Sequence, residues 1–210
     1  MSLGPPPADL TGFPLRPPRR APRTLYRLYW HRNRAGALNS AWNFTSDPPG
    51  ANRFDLPAPA GTCYWSDVAY GAFVEVFRGL RVIDPSDVDR RRLFVATPPG
   101  LRLADTTAPR ACSFGVTVEL PAITPYDLPQ QWATRLASLG VDGLVALCRH
   151  DPSGNARTVA IFGRAGTPAR RARRRVRRTR MDRDPTLTAD LRRLGVRTVP
   201  IPFSVPTVRP

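Results

Sequence analysis

The sequence predicts an α/β (α+β) protein, and three observations carry that expectation. Short runs rich in aromatic and β-branched residues alternate with two helical patterns. Hydrophobic residues make up 41% of the chain and charged residues 23%, a balance that folds rather than staying disordered. With 210 residues there is enough chain for one main core plus appendages.

Residues 1–22, with "GPPP" at 4–7 and "PP" at 17–18, read as an extended or disordered Pro/Arg-rich lead-in. "TLYRLYW", from Thr24 to Trp30, is a short strand. The following "RNRAGALNSAWNFTSDPPGANRFD" has many turn formers and no sustained period, so it is a long loop of a length that is usually functional or disordered. "TCYWS", Thr62 to Ser66, is a second strand, and Ser66 or Asp67 stands where it can cap a helix reaching about Arg78. "RLFVAT" and "FGVTVEL", Phe114 to Leu120, are further strands, the latter with Val116, Val118 and Leu120 on one face; "LRLADT" is a weaker one. Asp127 opens a helix through Leu139, with Trp132, Leu136 and Leu139 at i, i+4, i+7 and Gly140 ending it. "DGLVALCR" and "ARTVAIF" are two strands joined by the turn "HDPSGN". The core domain therefore spans 23–163, and 164–210 is an arginine-rich extension with a short helix at "LTADLRRLG".

The net charge is +16, and all 32 basic residues are arginine, which reads first as a codon bias of GC-rich coding DNA. Ten arginines fall between Arg164 and Arg183. A run of that density attracts nucleic acid or another polyanion in a salt-dependent way, and it equally fits a solvated tail or a segment docking an acidic partner. Cys63, Cys112 and Cys148 are an odd count without CxxC spacing, which points to a reducing cytoplasm rather than a disulfide framework or zinc site. Neither a signal-peptide pattern nor a long apolar run occurs, so the expectation is a soluble cytoplasmic protein with no membrane partner. There is no GxGxxG, and the absence of lysine excludes a Walker-type loop. His31 and His150 lie far apart, with no carboxylates placed to complete a metal site. Cys148 and His150, if on a strand, would share a face as a nucleophile pair without a third orienting group.

One residue raises an energetic question. In "DVAYGAFVEVF" Glu75 is the single charge within a segment that otherwise reads as buried, and an unpaired buried carboxylate costs several kcal/mol, roughly. On a helix it shares a face with Val68 and Ala72, while Phe73, Val74 and Phe77 cover the rest. It is either an edge-of-core residue, a structural partner of an arginine, or a group with a chemical task. Arg53, at the end of the long loop, is the nearest upstream cation, and its planar fork suits carboxylate or phosphate pairing. Tyr64 lies between them, on the "TCYWS" strand.

Taken in order, "LYRLY", "NRFD" followed by "GTCYWSD", an alanine-rich helix with a lone Glu, and "GLVALCRHDPSG…VAIFG" resemble the RES domain family. The resemblance covers about residues 23–163. It implies an ADP-ribosyltransferase-like core of small mixed and antiparallel sheets with flanking helices, and an NAD-binding cleft. RES toxins of bacterial toxin–antitoxin pairs degrade NAD+ by hydrolysis or phosphorolysis, as glycohydrolase or phosphorylase, and are neutralised by an Xre-type helix-turn-helix antitoxin. NAD is then the substrate, inorganic phosphate an alternative co-substrate, and no metal is required. By the same resemblance Arg27, Arg53, Tyr64 and Glu75 match the family's site residues. The family serine falls on Cys148, where this chain departs from the pattern, with Ser153 as the fallback. The implied roles are Glu75 toward the ribose, Arg53 with Arg27 on the pyrophosphate or an incoming phosphate, Tyr64 against the nicotinamide, and position 148 on a ribose hydroxyl or phosphate. Transfer of ADP-ribose to a macromolecule, or a catalytically weak domain binding nucleic acid or an acidic partner through residues 164–183, are the alternatives.

Overall fold

Strands form where aromatic and β-branched residues alternate, and helices where apolar residues recur every three to four positions. A computed structural model describes residues 2–46, 52–98, 100–167 and 176–200. Among these residues the elements are, in chain order, β1 (Leu15–Arg16), β2 (Leu25–Trp30), β3 (Ala60–Ser66), α1 (Ala69–Phe77), β4 (Val82–Ile83), α2 (Pro85–Arg90), β5 (Arg91–Ala96), β6 (Leu103–Asp105), α3 (Asp127–Ala137), β7 (Gly143–Leu147), β8 (Arg157–Arg164), β9 (Val176–Thr179), α4 (Pro185–Arg193) and β10 (Arg197–Thr198).

Eight of the described strands form one mixed sheet in the order β1-β6-β7-β8-β3-β2-β5-β9. All neighbours are antiparallel except the parallel pair β6 and β7. β4 and β10 make a separate parallel ribbon. The expected small sheets are thus two blocks of a single sheet. β1, β6, β7, β8 and β3 form one block and β2, β5 and β9 the other, and the blocks meet at one registered pair, Tyr26 with Ser66.

Alternation sorts side chains onto two faces. One face carries Leu144, Ala146 and Ala160, which pack under α3, and Leu28 and Leu93, which pack under α1 and α4. The other carries Leu25, Cys63, Trp65, Phe94, Val145, Val159 and Ile161, covered by Ala41, Trp42 and Phe44 of the long loop. Trp132 and Leu136 of α3 are fully buried, and each large apolar side chain so placed contributes about 1.5–3 kcal/mol.

Several expectations are revised. "FGVTVEL" does not extend: Pro109–Phe114 is a 3-10 turn, Gly115 adopts φ 91°, and the following residues turn again. Val116 and Leu120 are buried while Val118 is 78% exposed, so the alternating pattern is filled by a turn that seats two anchors rather than by a strand face. The lead-in is ordered rather than loose. Leu3, Leu10 and Phe13 are buried in the core with α3, the Trp132 indole N–H donates to the Gly4 carbonyl at 2.9 Å, and Glu119 accepts from the Leu3 N–H. Neither Ser66 nor Asp67 caps α1 as expected. The N-cap is Val68 with no side-chain cap bond, because Ser66 donates to the Arg157 carbonyl and Asp67 accepts the Arg157 N–H, both tying β3 to β8.

Beyond β8, part of the arginine-rich extension is built into the fold. β9 is the outer strand beside β5, and Met181 and Leu187 are buried with α1. Arg177 pairs with Asp184 and Arg180 with Asp89 and Asp182. The densest part of the run, 168–175, lies outside the described residues. No described helix is long and apolar enough to cross a membrane.

Candidate functional site

The segment "NRFD" folds as a turn closed by its own ends. The Asp55 carboxylate accepts the Asn52 N–H at 2.8 Å and the Asn52 side-chain amide at 3.0 Å, while the Asp55 N–H returns to the Asn52 carbonyl. Phe54 points into the core at 2% exposure, and its carbonyl accepts the Thr62 hydroxyl at 2.7 Å. The alternation that buries Phe54 turns Arg53 the other way, where its guanidinium donates to the Ile123 carbonyl and lies 4.6 Å from the Tyr126 ring centroid. On β3 the Tyr64 hydroxyl donates to Asp55 at 2.9 Å and accepts the Phe54 N–H at 2.9 Å. Burial, then the Asp55 charge, push its phenol well above the usual range, so it stays protonated.

Glu75 reaches the site because α1 lies unusually close to the sheet. A Cβ on Gly71 would stand 2.2 Å from the Ser66 hydroxyl and 3.0 Å from Ala156, so only glycine allows that approach. One oxygen of Glu75 accepts the Arg149 N–H at 3.0 Å and the Thr158 hydroxyl at 3.3 Å. Arg149 sits in the turn from β7 to β8, whose shape is set by Asp151. That carboxylate is buried, which opposes ionisation, yet hydrogen bonds from Ser153, Tyr70 and the Ala156 N–H hold it down to about 2.

On β2, Arg27 is 8% exposed, donates to the Ala41 carbonyl at 2.6 Å and to the Cys63 sulfur at 2.9 Å, and lies 4.3 Å from the Tyr29 ring centroid. It pairs with no carboxylate among the described residues. Its partners leave it on the loop face of the sheet, whereas Tyr64 and Glu75 are on the helix face. β2 and β3 have no registered pair beyond Tyr26–Ser66, and residues of both faces line the separation between them.

A cavity of about 700 Å³ occupies that separation. Its described walls carry one carboxylate, Glu75, against four guanidiniums, Arg27, Arg53, Arg78 and Arg149, with the rings of Tyr26, Tyr29, Tyr64 and Tyr126. Such a lining suits a ligand that is anionic in one part and carries planar rings in another. No group of three or more His, Cys, Asp or Glu among the described residues is placed to hold a metal ion.

Arg27, Arg53, Tyr64 and Glu75, named from the sequence, converge on this cavity. Cys148 does not line it. Its thiol is 4% exposed, 4.0 Å from the Gly71 carbonyl, and burial followed by the neighbouring Glu75 charge pushes it far above the ordinary thiol range. It therefore sits behind Glu75 as a thiol, and the Cys148–His150 nucleophile pair has no support. Ser153 is likewise absent from the walls, its hydroxyl held by Asp151 at 2.6 Å. Sequence reasoning missed Tyr126, Arg149, Thr158 and Arg78, and weighed His150 only as a metal ligand or as a partner for the thiol. "RH" after "LC" was visible, but only folding the turn against α1 reveals that Arg149 uses its backbone on Glu75.

A mixed sheet parted between two strands, with one acid, several guanidiniums and aromatic rings on the walls between them, defines an α/β protein with a basic, aromatic-lined cleft. The family model of the RES domain matches residues 24–188, and the chain belongs to that family. The solved structures include a similar one, a chain of the crystal structure of the M. tuberculosis MbcT–MbcA toxin–antitoxin complex. It matches at 16% identity and a TM-score of 0.56, over 82% of this chain and 88% of that one, a likeness of fold. No curated protein matches the chain.

Proposed function

We propose that this chain cleaves the nicotinamide–ribose bond of NAD+, as a toxin held in check by a cognate antitoxin. The observation that carries the reading is Glu75, the one described carboxylate on a cavity whose walls also carry four arginines and four tyrosines. Departure of nicotinamide leaves oxocarbenium-like positive charge on the ribose, and a fixed carboxylate beside it stabilises that charge. Arg149 and Thr158 hold one Glu75 oxygen, which leaves the other for the ribose. Arg53 and Arg27 supply forks for the pyrophosphate or an incoming phosphate. The tyrosine rings pack against the planar ends of the substrate. The antitoxin partner, of Xre type by the family resemblance, is supported by membership of the RES family and by the similarity to a chain of a toxin–antitoxin complex.

Purified protein incubated with NAD+, with and without inorganic phosphate, tests the reading by nicotinamide release. Release that depends on phosphate identifies phosphorolysis, and release without it hydrolysis. Label from NAD+ appearing on protein or nucleic acid identifies ADP-ribosyl transfer instead. Absence of release under every condition overturns NAD+ cleavage and leaves polyanion binding by the 164–183 run as the function to measure.

A further inference from the structure

Among the described residues Arg78 is the one non-glycine with positive φ, at φ 52° and ψ 36°. It ends α1, its N–H donating to the Val74 carbonyl at 2.7 Å, a place where glycine is the usual choice because a side chain in left-handed backbone costs on the order of 1 kcal/mol. Glycine stands next to it, and Gly79 is itself left-handed at φ 77°. The chain thus keeps an arginine at a position that stability alone would give to glycine, and strained backbone of this kind gathers at functional sites.

Where the side chain goes gives the strain a purpose. Arg78 follows Glu75 by three residues and lines the same cavity. It is exposed and pairs with no carboxylate among the described residues. Arg53, Arg149 and His150 line that cavity too, and the charges of all three arginines act at the imidazole. We propose that Arg78 is a ligand-binding residue of the cleft, contacting an anionic group of the bound dinucleotide and held in left-handed backbone for that contact. This rests on the NAD+ reading for the identity of the ligand, but not for the role of the charge.

The test uses the full chain in a Glu75→Gln background, where NAD+ is not consumed, with Arg78 as in wild type or changed in R78G, R78A and R78K; affinity for NAD+ and for inorganic pyrophosphate is read by calorimetry and stability by urea midpoint. R78G raises the midpoint while weakening NAD+ about tenfold, R78A weakens it equally without the gain in midpoint, and R78K recovers part of the affinity. NAD+ affinity within about twofold of the chain that keeps Arg78 in both R78G and R78A overturns the proposal, since a helix-capping role alone would leave binding untouched. A midpoint in R78G that is unchanged or lower overturns the strain. A chain that keeps Arg78 and binds pyrophosphate but not NAD+ overturns the NAD+ reading alone, provided R78G loses the pyrophosphate; one that binds neither overturns both.

Discussion

Tyr64 and Asp55 are joined by a 2.9 Å hydrogen bond that spends the tyrosine hydroxyl on the turn carrying Arg53. The phenol accepts the Phe54 N–H as well, so the ring is fixed and its oxygen has no role left toward a ligand. Replacing Tyr64 by Phe takes one donor from a buried carboxylate, whose pKa burial already raises, and leaves the Phe54 N–H without its acceptor. Y64F is expected to lose about 1–3 kcal/mol in urea denaturation, with a larger rise in KM for NAD+ than fall in kcat because Arg53 is displaced. An unchanged KM in a destabilised variant would separate the turn from the site.

Glu75→Gln removes the charge but keeps the size and the hydrogen-bonding reach. Nicotinamide release is expected to fall at least about a hundredfold, with thermal unfolding unchanged within a few degrees. Activity near wild type would remove Glu75 from the chemistry.

Thr158→Val deletes one of the two donors on the Glu75 oxygen while preserving the β-branched shape in β8. A kcat decrease of about tenfold with little change in KM is expected, and Thr158→Ser should restore it. Equal loss in both variants would show that packing, not the hydroxyl, matters.

Cys148→Ser is expected to keep or increase turnover, because the side chain acts from behind Glu75 and a hydroxyl donates more strongly than a thiol. In native protein treated with iodoacetamide, mass spectrometry should find Cys112 modified, and Cys63 and Cys148, both buried, protected. A dead serine variant would instead restore thiol chemistry to consideration.

Both imidazoles resist protonation in the fold: at His31 through burial and then Arg92, Arg178 and Arg32, and at His150 through burial, with Glu75 opposing and Arg149, Arg78 and Arg53 adding. The unfolded chain takes up these protons near pH ~6.5, the folded chain only at lower pH. More protons on the unfolded state means that stability rises with pH, so stability present above that value is lost as pH falls below it. Urea midpoints between pH 7 and 5 should fall in wild type and fall less in a His31→Gln, His150→Gln double variant.

β2, β3, β5, β7, β8, α1 and α3 were legible because their apolar periods match the faces they bury. "FGVTVEL" misled because alternation cannot tell a strand from a turn that buries two of three candidates, and Gly115 was the contrary signal within it. The proline-rich start reads as loose by composition, yet Leu3, Leu10 and Phe13 supply enough apolar surface to seat it. In the site, Arg53, Tyr64 and Glu75 were recoverable from their motifs. The burial of Cys148 was not, since it depends on the side from which α1 crosses, and neither was Arg78, since no pattern of residue types reports a backbone angle.

The single Tyr26–Ser66 pair has a consequence for how this binding site can change. The cleft is a seam left unstitched in a sheet, a hollow made from absent ladder bonds rather than from small side chains. Thr45 pairs with Thr62 where β2 would otherwise lie, so the chain covers part of the exposed edge with its own loop. A site made this way keeps its opening when wall residues are exchanged, and its ligand preference can drift by substitution while the scaffold stays put. The converse is a precise weakness: proline at position 26 or 66, the last stitch, should part the two blocks of the sheet with Glu75 and every guanidinium of the wall unchanged.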